Sequence, residues 1–206
     1  MTMSAQEINE KKRAPHVNGV MAVFHDRWSP RSFADREVSR ETLAKIFEAA
    51  RWAMSSGNEQ PWRWIVGLRG TDTHRKIFEA LVPGNQKWAG KAPVLIIGTA
   101  AKNLVKSGAP NKFAVHDLGA ADGYLVLETA SLGLAAHQMA GYDEAKAREL
   151  LGIPEDFHVG SVIALGYQDD PEKLGDATLI EREVAPRTRK TLGEIVQSAW
   201  GEALGL

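Results

Sequence analysis

The chain of 206 residues contains no cysteine. This absence excludes disulfide bonds, zinc sites with thiolate ligands, cysteine-bound iron–sulfur clusters and a cysteine nucleophile. Histidine, another common metal ligand, occurs six times, but the six positions form no close pair along the sequence. We therefore predict no metal site of the histidine-rich kind.

An excess of one charge is also absent, because 25 basic and 26 acidic residues leave a net charge of −1. No overall field therefore favours a nucleic acid or an anionic membrane as a partner. The apolar run Val94–Ala101 is far too short to span a bilayer. Residues 1–15 are polar and lack the apolar segment of a signal peptide. We expect a cytoplasmic protein.

Common nucleotide-binding and hydrolase motifs are missing as well. No Gly-x-Gly-x-x-Gly follows a strand pattern, which argues against a Rossmann dinucleotide site. The segment 84–91 is similar to a P-loop, but it has one residue too many between its glycines. In addition, Ala92 stands where a P-loop needs serine or threonine. The Gly-x-Ser-x-Gly elbow of many hydrolases is not present either.

Helical and strand patterns alternate along the chain, which predicts one α/β domain over residues 16–206 after a disordered arm over residues 1–15. Short apolar runs predict strands over 62–68, 93–99, 134–139 and 159–167. Helical spacing predicts helices over 18–27, 71–81, 113–134 and 143–151, and another that begins after Ser39. Composition predicts loops over 83–91 and 169–190, followed by an amphipathic piece over 192–203.

The helix predicted over 113–134 differs from the others in its distribution of apolar residues. Leu118, Ala121, Leu125 and Leu132 form one stripe, but further apolar residues cover the remaining sides. A helix that is apolar nearly all round is typical of an element buried in a core or in a subunit interface.

Arg27, Ser29 and Arg31 lie within five residues and form an Arg-x-Ser-x-Arg pattern. Two planar guanidinium groups and one hydroxyl at this spacing suit a small anion such as phosphate. Taken alone the pattern is weak, because arginines near a helix end are usually solvated surface groups.

Two later segments strengthen the interpretation of an anion site. Ser55, Ser56 and Asn58 lie in a loop with a glycine, where the backbone can approach a ligand closely. Arg187 and Arg189 lie on one side of an extended segment, since alternate residues of a strand face the same way. Together the three segments suit a phosphate group that carries a polar chain.

Four blocks of the sequence resemble the nitroreductase-like FMN flavoproteins, and they occur in the order of that family. The blocks span residues 27–33, 49–63, 132–143 and 186–192. The stretch Ser-Ser-Gly-Asn-Glu-Gln-Pro-Trp, residues 55–62, is the most specific of these signals. The resemblance implies an α+β fold in which helices surround a largely antiparallel central sheet. It also implies an intertwined homodimer that holds FMN at the subunit interface.

The resemblance further implies roles for individual residues. Arg27 and Ser29 would bind the FMN phosphate and ribityl chain, and Arg31 would reach the pyrimidine edge of the flavin. The remaining cofactor contacts would come from Trp28 in the same block, from Arg187 and Arg189 at the phosphate, from the backbone of Met139, Ala140 and Gly141 near flavin N5, and from Ser55, Ser56 and Asn58 of the other subunit.

The sequence departs from the family pattern at a few positions. Met54 stands where many members have proline, and His137-Gln138 stands where many have a small residue and tryptophan. The residue that contacts flavin O2 is left open between Asn85 and Gln86. Trp88 and Phe113 are candidates for the substrate pocket, with core packing as the alternative for both.

The function implied by the resemblance is that of an FMN-dependent oxidoreductase. NADH or NADPH would deliver a hydride to flavin N5, and a small electron-poor acceptor such as a nitroaromatic or a quinone would then be reduced in a ping-pong reaction. No catalytic side chain is required, since the flavin performs the hydride chemistry. The alternatives are a related flavin-cleaving or dehalogenating enzyme, a non-catalytic FMN-binding protein, and a phosphate-binding module without flavin.

Overall fold

The computed structural model describes residues 3–206, and its centre is a four-stranded antiparallel sheet. The strands are β1 (Trp62–Leu68), β2 (Val94–Ala101), β3 (Ala135–Met139) and β4 (Phe157–Gly166), in the order β1-β2-β4-β3. The central strand β2 and the second half of β4 are buried on both faces, which explains their nearly continuous apolar sequence. All four strands lie close to the predicted ranges.

Helices cover both faces of the sheet. One face packs against α3 (Arg40–Arg51) and α6 (Ala114–Ser131), and its core includes Ile96, Ile163 and Leu125. The other face packs against α4 (Asp72–Ala80), α5 (Pro83–Ala89) and α7 (Glu144–Leu151), around Leu95, Ile97 and Val162. Alternate residues of β2 therefore belong to two separate cores, as the pleat of a strand requires. This architecture confirms the expected α+β fold.

The long helix α6 lies unusually close to the sheet at Leu118. A Cβ atom on Gly160 would be 2.6 Å from Leu118 Cδ2, and one on Gly98 would be 3.2 Å from Leu118 Cδ1. Glycine at these two strand positions lets the helix approach, because larger residues would collide with it. The side of α6 away from the sheet exposes Phe113 at its start and then Val115 and Tyr124.

The N-terminal segment differs from the prediction of a disordered arm. Of residues 1–15, the first two lie outside the described residues, and Ala5–Lys12 form the helix α1. Ser4 and Glu7 form a capping box at its start, which satisfies backbone donors at the helix end. Ile8 is fully buried, and the backbone N–H of Ala5 donates to Asp170 Oδ1 at 2.6 Å. The helix is thus a packed part of the fold.

Three further predictions are corrected. Residues 83–91, expected to be a loop, contain α5, which begins with a proline at its first position. The stretch 169–190 is not mainly loop, since it holds a 3₁₀ turn (Pro171–Leu174) and α8 (Ala177–Val184), capped by Asp176. The expected terminal amphipathic piece is a short helix α9 (Leu192–Ile195) followed by a small hairpin of β5 (Gln197–Ala199) and β6 (Glu202–Ala203).

Candidate functional site

The two arginine segments of the sequence meet at one cavity of about 240 Å³. The first follows α2 (Ala22–Asp26), and the second follows α8. The lining contains every predicted residue of these two segments and one that was not predicted: Arg27, Trp28, Ser29, Arg31, Arg187, Arg189 and Lys12. Segments about 160 positions apart in sequence therefore supply a single cluster of five cationic side chains.

A buried carboxylate holds the first segment in place. Oε1 of Glu183, on α8, accepts hydrogen bonds from the backbone N–H of Arg31 at 2.8 Å and of Ser32 at 3.1 Å. Its Oε2 lies 3.7 Å from Nη1 of Arg31, whereas the Ser32 hydroxyl donates to the Asp170 carbonyl at 2.7 Å. Burial raises the pKa of Glu183, and the Arg31 and Ser32 N–H groups oppose that rise. The backbone of the Arg-Ser-Arg segment is thus fixed before any ligand binds.

The second segment is fixed at one arginine and more open at the other. Arg187 Nη1 donates to the carbonyl oxygens of Lys12 at 2.7 Å and of His25 at 3.2 Å. The exposed Arg189 donates only to the adjacent Thr188 carbonyl, among the described residues, at 2.7 Å. Arg187 is therefore anchored by the protein, whereas Arg189 retains donors that can turn to a ligand.

The electrostatics of the cavity favour an anion. Burial, together with Arg187 and Arg189, lowers the pKa of Arg27, and burial lowers the pKa of Arg31 despite the nearby Glu183. No carboxylate is among the described residues that line the cavity. Like charges held together at this distance repel, and a bound dianion would relieve the repulsion while accepting several charge-assisted hydrogen bonds.

Lys12 was missed because the N-terminal segment was predicted to be disordered. A signal was present, since serine followed three residues later by glutamate marks a helix start. The sequence alone does not show that this helix packs beside Trp28, which depends on the tertiary contacts of Ile8 and Asn9. The indole Nε1 of Trp28 donates to Asn9 Oδ1 at 2.7 Å.

The Ser55–Asn58 segment forms a tight turn elsewhere in the chain. The N–H of Ser56 donates to Asp117 Oδ2 at 3.0 Å, and the Ser55 hydroxyl accepts from the N–H of Gln60 at 3.0 Å. Asn58 and Gln60 have φ values of 57° and 49°, in the left-handed region that non-glycine residues adopt at a cost. The Ser56 and Asn58 side chains are exposed and face away from the core.

The structure does not bring this turn to the arginine cavity within one chain. The turn contacts Asp117, in the first turn of α6. Arg27 and Trp28 also line a second cavity of about 300 Å³, which reaches Ala130 and Gly133 at the other end of α6. Asp117 and Ala130 are thirteen positions apart along the helix, or roughly 20 Å at 1.5 Å per residue. The predicted site residues therefore form two groups at opposite ends of one helix.

The middle of β3 lies beside the first arginine segment. His137 Nδ1 donates to the Pro30 carbonyl at 3.0 Å, and burial together with Arg31 lowers the pKa of His137 to about 4. The imidazole is therefore neutral at physiological pH. Met139 is buried at the end of the strand, whereas Ala140 after it is exposed and Gly141 is half-buried.

The two candidates for the contact to flavin O2 have different environments. Asn85 Nδ2 donates to the Gly141 carbonyl at 2.9 Å, and a Cβ atom on Gly141 would approach that nitrogen to 2.7 Å. Gln86 Nε2 instead donates to the Phe78 carbonyl at 3.2 Å, on the side of α4. Asn85 is thus the candidate that lies against the predicted Met139–Gly141 segment.

The two candidates for a substrate pocket also differ. Trp88 has an exposed fraction of 2% and packs in the core against Phe33 and His137, with ring centroids 6.3 and 4.7 Å apart. Trp88 therefore lies where core packing, the alternative to a pocket role, would place it, because α5 turns this residue toward the core. Phe113 is 54% exposed at the start of α6, edge-on to His116. Met54, near the Ser55–Asn58 turn, is exposed as well.

Known proteins resemble this chain in both sequence and structure. A model of the nitroreductase family matches residues 25–83 and 72–167. A relative from Archaeoglobus fulgidus, named "Putative NADH dehydrogenase/NAD(P)H nitroreductase", is 36% identical over 161 residues, which cover 76% of this chain and 90% of that protein.

Solved structures give the same result. A crystal structure described as an oxidoreductase containing FMN superposes with a TM-score of 0.83 and 33% identity, over 90% of this chain and 94% of that one. A structure described as an FMN-dependent nitroreductase from Clostridium difficile has a TM-score of 0.57 and 27% identity, over 70% and 84% of the two chains. Helices long and apolar enough to cross a membrane do not occur in residues 3–206. By sequence and by fold, this chain belongs to the nitroreductase family of oxidoreductases.

Proposed function

We propose that this protein is an FMN-dependent oxidoreductase that uses NADH or NADPH to reduce small electron-poor acceptors, such as nitroaromatics and quinones. The observation that carries the proposal is the cavity in which Arg27, Arg31, Arg187 and Arg189 converge around the Ser29 hydroxyl. Support comes from membership of the family and from the neighbouring structure whose description names FMN.

The residues present fit the cofactor. A terminal phosphate monoester carries close to two negative charges and three acceptor oxygens, which match a cluster of guanidinium groups and a hydroxyl. The cavity of about 240 Å³ has room for a phosphate and the start of a polar chain but not for a whole flavin nucleotide. The flavin ring would extend from it along the Met139–Gly141 segment, past Arg31.

When bound, FMN supplies a two-electron carrier that accepts a hydride from the nicotinamide and passes it to the acceptor. The residues of this chain bind and orient it. Arg31 would face the pyrimidine edge, where its positive charge favours negative charge on the ring. Neutral His137 adds no further charge beside it, and Asn85, whose Nδ2 donates to the Gly141 carbonyl, carries an amide oxygen that could accept a hydrogen bond.

We also propose that the active species is a homodimer. The Ser55–Asn58 turn and the arginine cavity lie at opposite ends of α6. A second copy whose α6 runs antiparallel to the first would therefore bring the turn of each protomer to the cavity of the other. Exposed apolar residues at the chain end, with Trp200 fully exposed and Ile195 60% exposed, support the need for such a partner.

The identity of the cofactor is tested by mass spectrometry of the ligand released from purified protein. We expect a yellow protein that releases FMN in stoichiometric amount. FAD as the released species, or a colourless protein that stays colourless after FMN is added, would contradict the proposal.

The reaction is tested by steady-state kinetics with NADH or NADPH and a series of acceptors. Donor and acceptor would use the same flavin face in turn, so double-reciprocal plots should give parallel lines. Phe113→Ala should change the relative rates of nitroaromatic and quinone acceptors while the FMN content stays the same. Intersecting lines would rule out a shared face, and FMN-loaded protein that oxidises no NADH or NADPH with any acceptor would show a non-catalytic flavoprotein.

A further inference from the structure

Lys12 lies in the arginine cavity although it belongs to an N-terminal helix outside the residues that the family model matches. Its side chain is buried, and Nζ lies 4.7 Å from the centroid of the Trp28 ring. A buried lysine without an acidic partner is uncommon, because removing an ammonium group from water is costly unless a negative charge compensates for it.

The protein gives Lys12 only partial compensation. Nζ donates to the Arg182 carbonyl at 3.5 Å, the long limit of a hydrogen bond. Burial lowers the pKa of Lys12, and although Glu183 acts in the opposite direction, its carboxylate contacts Arg31. The ammonium group therefore has donors left to offer, beside the Trp28 ring and in a cavity whose lining, among the described residues, contains no carboxylate.

The helix that carries Lys12 is also tied to both arginine segments. Asn9 accepts a hydrogen bond from Trp28 of the first segment, and the carbonyl of Lys12 accepts one from Arg187 of the second. Ile8 anchors the helix in the core. The helix α1 thus bridges the two segments that line the cavity and places one further cation between them.

We propose that Lys12 is a ligand of the cofactor phosphate and that α1 forms part of the phosphate site. This inference rests on the proposed function, because it takes the occupant of the cavity to be the FMN phosphate. Lys12 would act as a point charge on one phosphate oxygen, while the arginines supply forked contacts to the others. The helix would at the same time hold Arg187 in its binding position.

The experiment compares FMN with riboflavin, which has the same ring and ribityl chain but no phosphate. Affinities of the full-length apoprotein for both flavins are measured by quenching of flavin fluorescence. Lys12→Met keeps the apolar stem against Trp28 and removes only the charge. It should weaken FMN binding about tenfold, the usual effect of one charge-assisted hydrogen bond, and leave riboflavin binding unchanged.

Two further variants complete the design. Lys12→Arg keeps the charge and should restore most of the FMN affinity. Lys11→Met, at the exposed neighbouring position, should behave as wild type with both flavins. If Lys12→Met lowers the affinities for FMN and riboflavin by the same factor, α1 acts on the fold alone and the inference is overturned. Unchanged affinities for both flavins would overturn it as well.

The wild-type protein separates this inference from the proposed function. If it binds FMN no more tightly than riboflavin, the cavity is not a phosphate site and the proposed function fails at that point. If it strongly prefers FMN and Lys12→Met preserves that preference, the proposed function stands and only the role of Lys12 is lost. Melting curves of each variant identify any general loss of stability.

Discussion

The two ends of α6 differ in how complete they are within one chain. At the C-terminal end, the arginine cavity is built from three separate segments and is held by Glu183, by Asn9 and by the Lys12 carbonyl. At the N-terminal end, the Ser55–Asn58 turn is bonded to Asp117 through the N–H of Ser56, and the side chains of Ser56 and Asn58 are exposed. One end holds a cluster of cationic side chains that the fold fixes in place, whereas the other end presents polar side chains to solvent.

Under the proposed function, one binding site would be divided between the two ends of one rigid element. Affinity for a charged group requires several buried cations, and only a folded framework can hold them against their repulsion. Hydroxyl and amide donors need no such framework and can be presented on an exposed turn. If the turn completes the site of a second copy, ligand binding and association become linked.

The largest effect is expected from variants that prevent the second copy from binding. Ile195→Asp together with Trp200→Asp places charges on the exposed terminal helix and hairpin. Each interface anchor typically contributes about 2 kcal/mol, so dimer affinity should fall by roughly a thousandfold. Sedimentation velocity should show a monomer, and the same preparation should lose its FMN.

The matched control for this pair is Ile195→Leu with Trp200→Phe, which keeps the apolar surface and should remain a flavin-loaded dimer. A charged double variant that is monomeric and still holds FMN tightly would mean that one chain is sufficient for binding. The contrast between the two ends of α6 would then have no consequence for the cofactor.

The next largest effect is expected at the arginine end. Arg189→Ala removes an exposed side chain. Within the described part of the chain, this side chain makes one hydrogen bond, to the adjacent Thr188 carbonyl. FMN affinity should fall about tenfold or more, which corresponds to roughly 1.5–3 kcal/mol for a charge-assisted contact. Riboflavin affinity and the melting temperature should barely change. Lys190→Ala is the control, and a large drop in melting temperature at constant FMN affinity would make Arg189 a structural residue.

A substitution in the middle of α6 should change the stability of the fold rather than the affinity for FMN. Asp122 is buried there and accepts hydrogen bonds from Trp64 at 2.9 Å and Ser161 at 3.4 Å, and burial raises its pKa from 3.8 to about 6. The folded state therefore holds a proton that the unfolded state releases, so this residue lowers stability as the pH rises from 3.8 to about 6.

Asp122→Asn removes that charge and should raise the free energy of unfolding by roughly 2–3 kcal/mol at pH 8, with little change near pH 4. Urea denaturation at both pH values measures the difference. FMN affinity should stay the same, because the residue lies in the core between the two ends. A variant that is less stable at pH 8 would show that the carboxylate makes the better hydrogen-bond acceptor for Trp64 and Ser161.

The smallest effect is expected at the Ser55–Asn58 turn. Ser56→Ala removes an exposed hydroxyl but keeps the backbone N–H that donates to Asp117. A neutral hydrogen bond contributes about 0.5–1.5 kcal/mol, so flavin affinity should fall by roughly two- to tenfold. FMN and riboflavin should be affected equally, since the turn lies away from the phosphate cavity. A loss confined to FMN would place the turn at the phosphate instead and would remove the distinction between the two ends.

Much of the fold could be predicted because its signals are local. The strands β2 and β4 follow from apolar runs, and the start of α3 follows from Ser39, whose hydroxyl accepts from the N–H of Thr42. The prediction of loops over 83–91 and 169–190 was wrong, because α5 and α8 are short. Their amphipathic faces become informative only once Trp88 and Leu179 are seen to pack into the core.

In the candidate site too, one part could be predicted from the sequence and another part could not. The sequence by itself determined which residue types are available for an anion and in which order they occur, because guanidinium and hydroxyl groups have the required chemistry in any conformation. Their convergence on one cavity was decided by the tertiary structure. So were the burial of Trp88, the separation of the Ser55–Asn58 turn from the arginines, and the position of Lys12. The reason is that buried contacts between distant segments depend on how helices pack on the sheet, and a linear pattern carries no direct record of that packing.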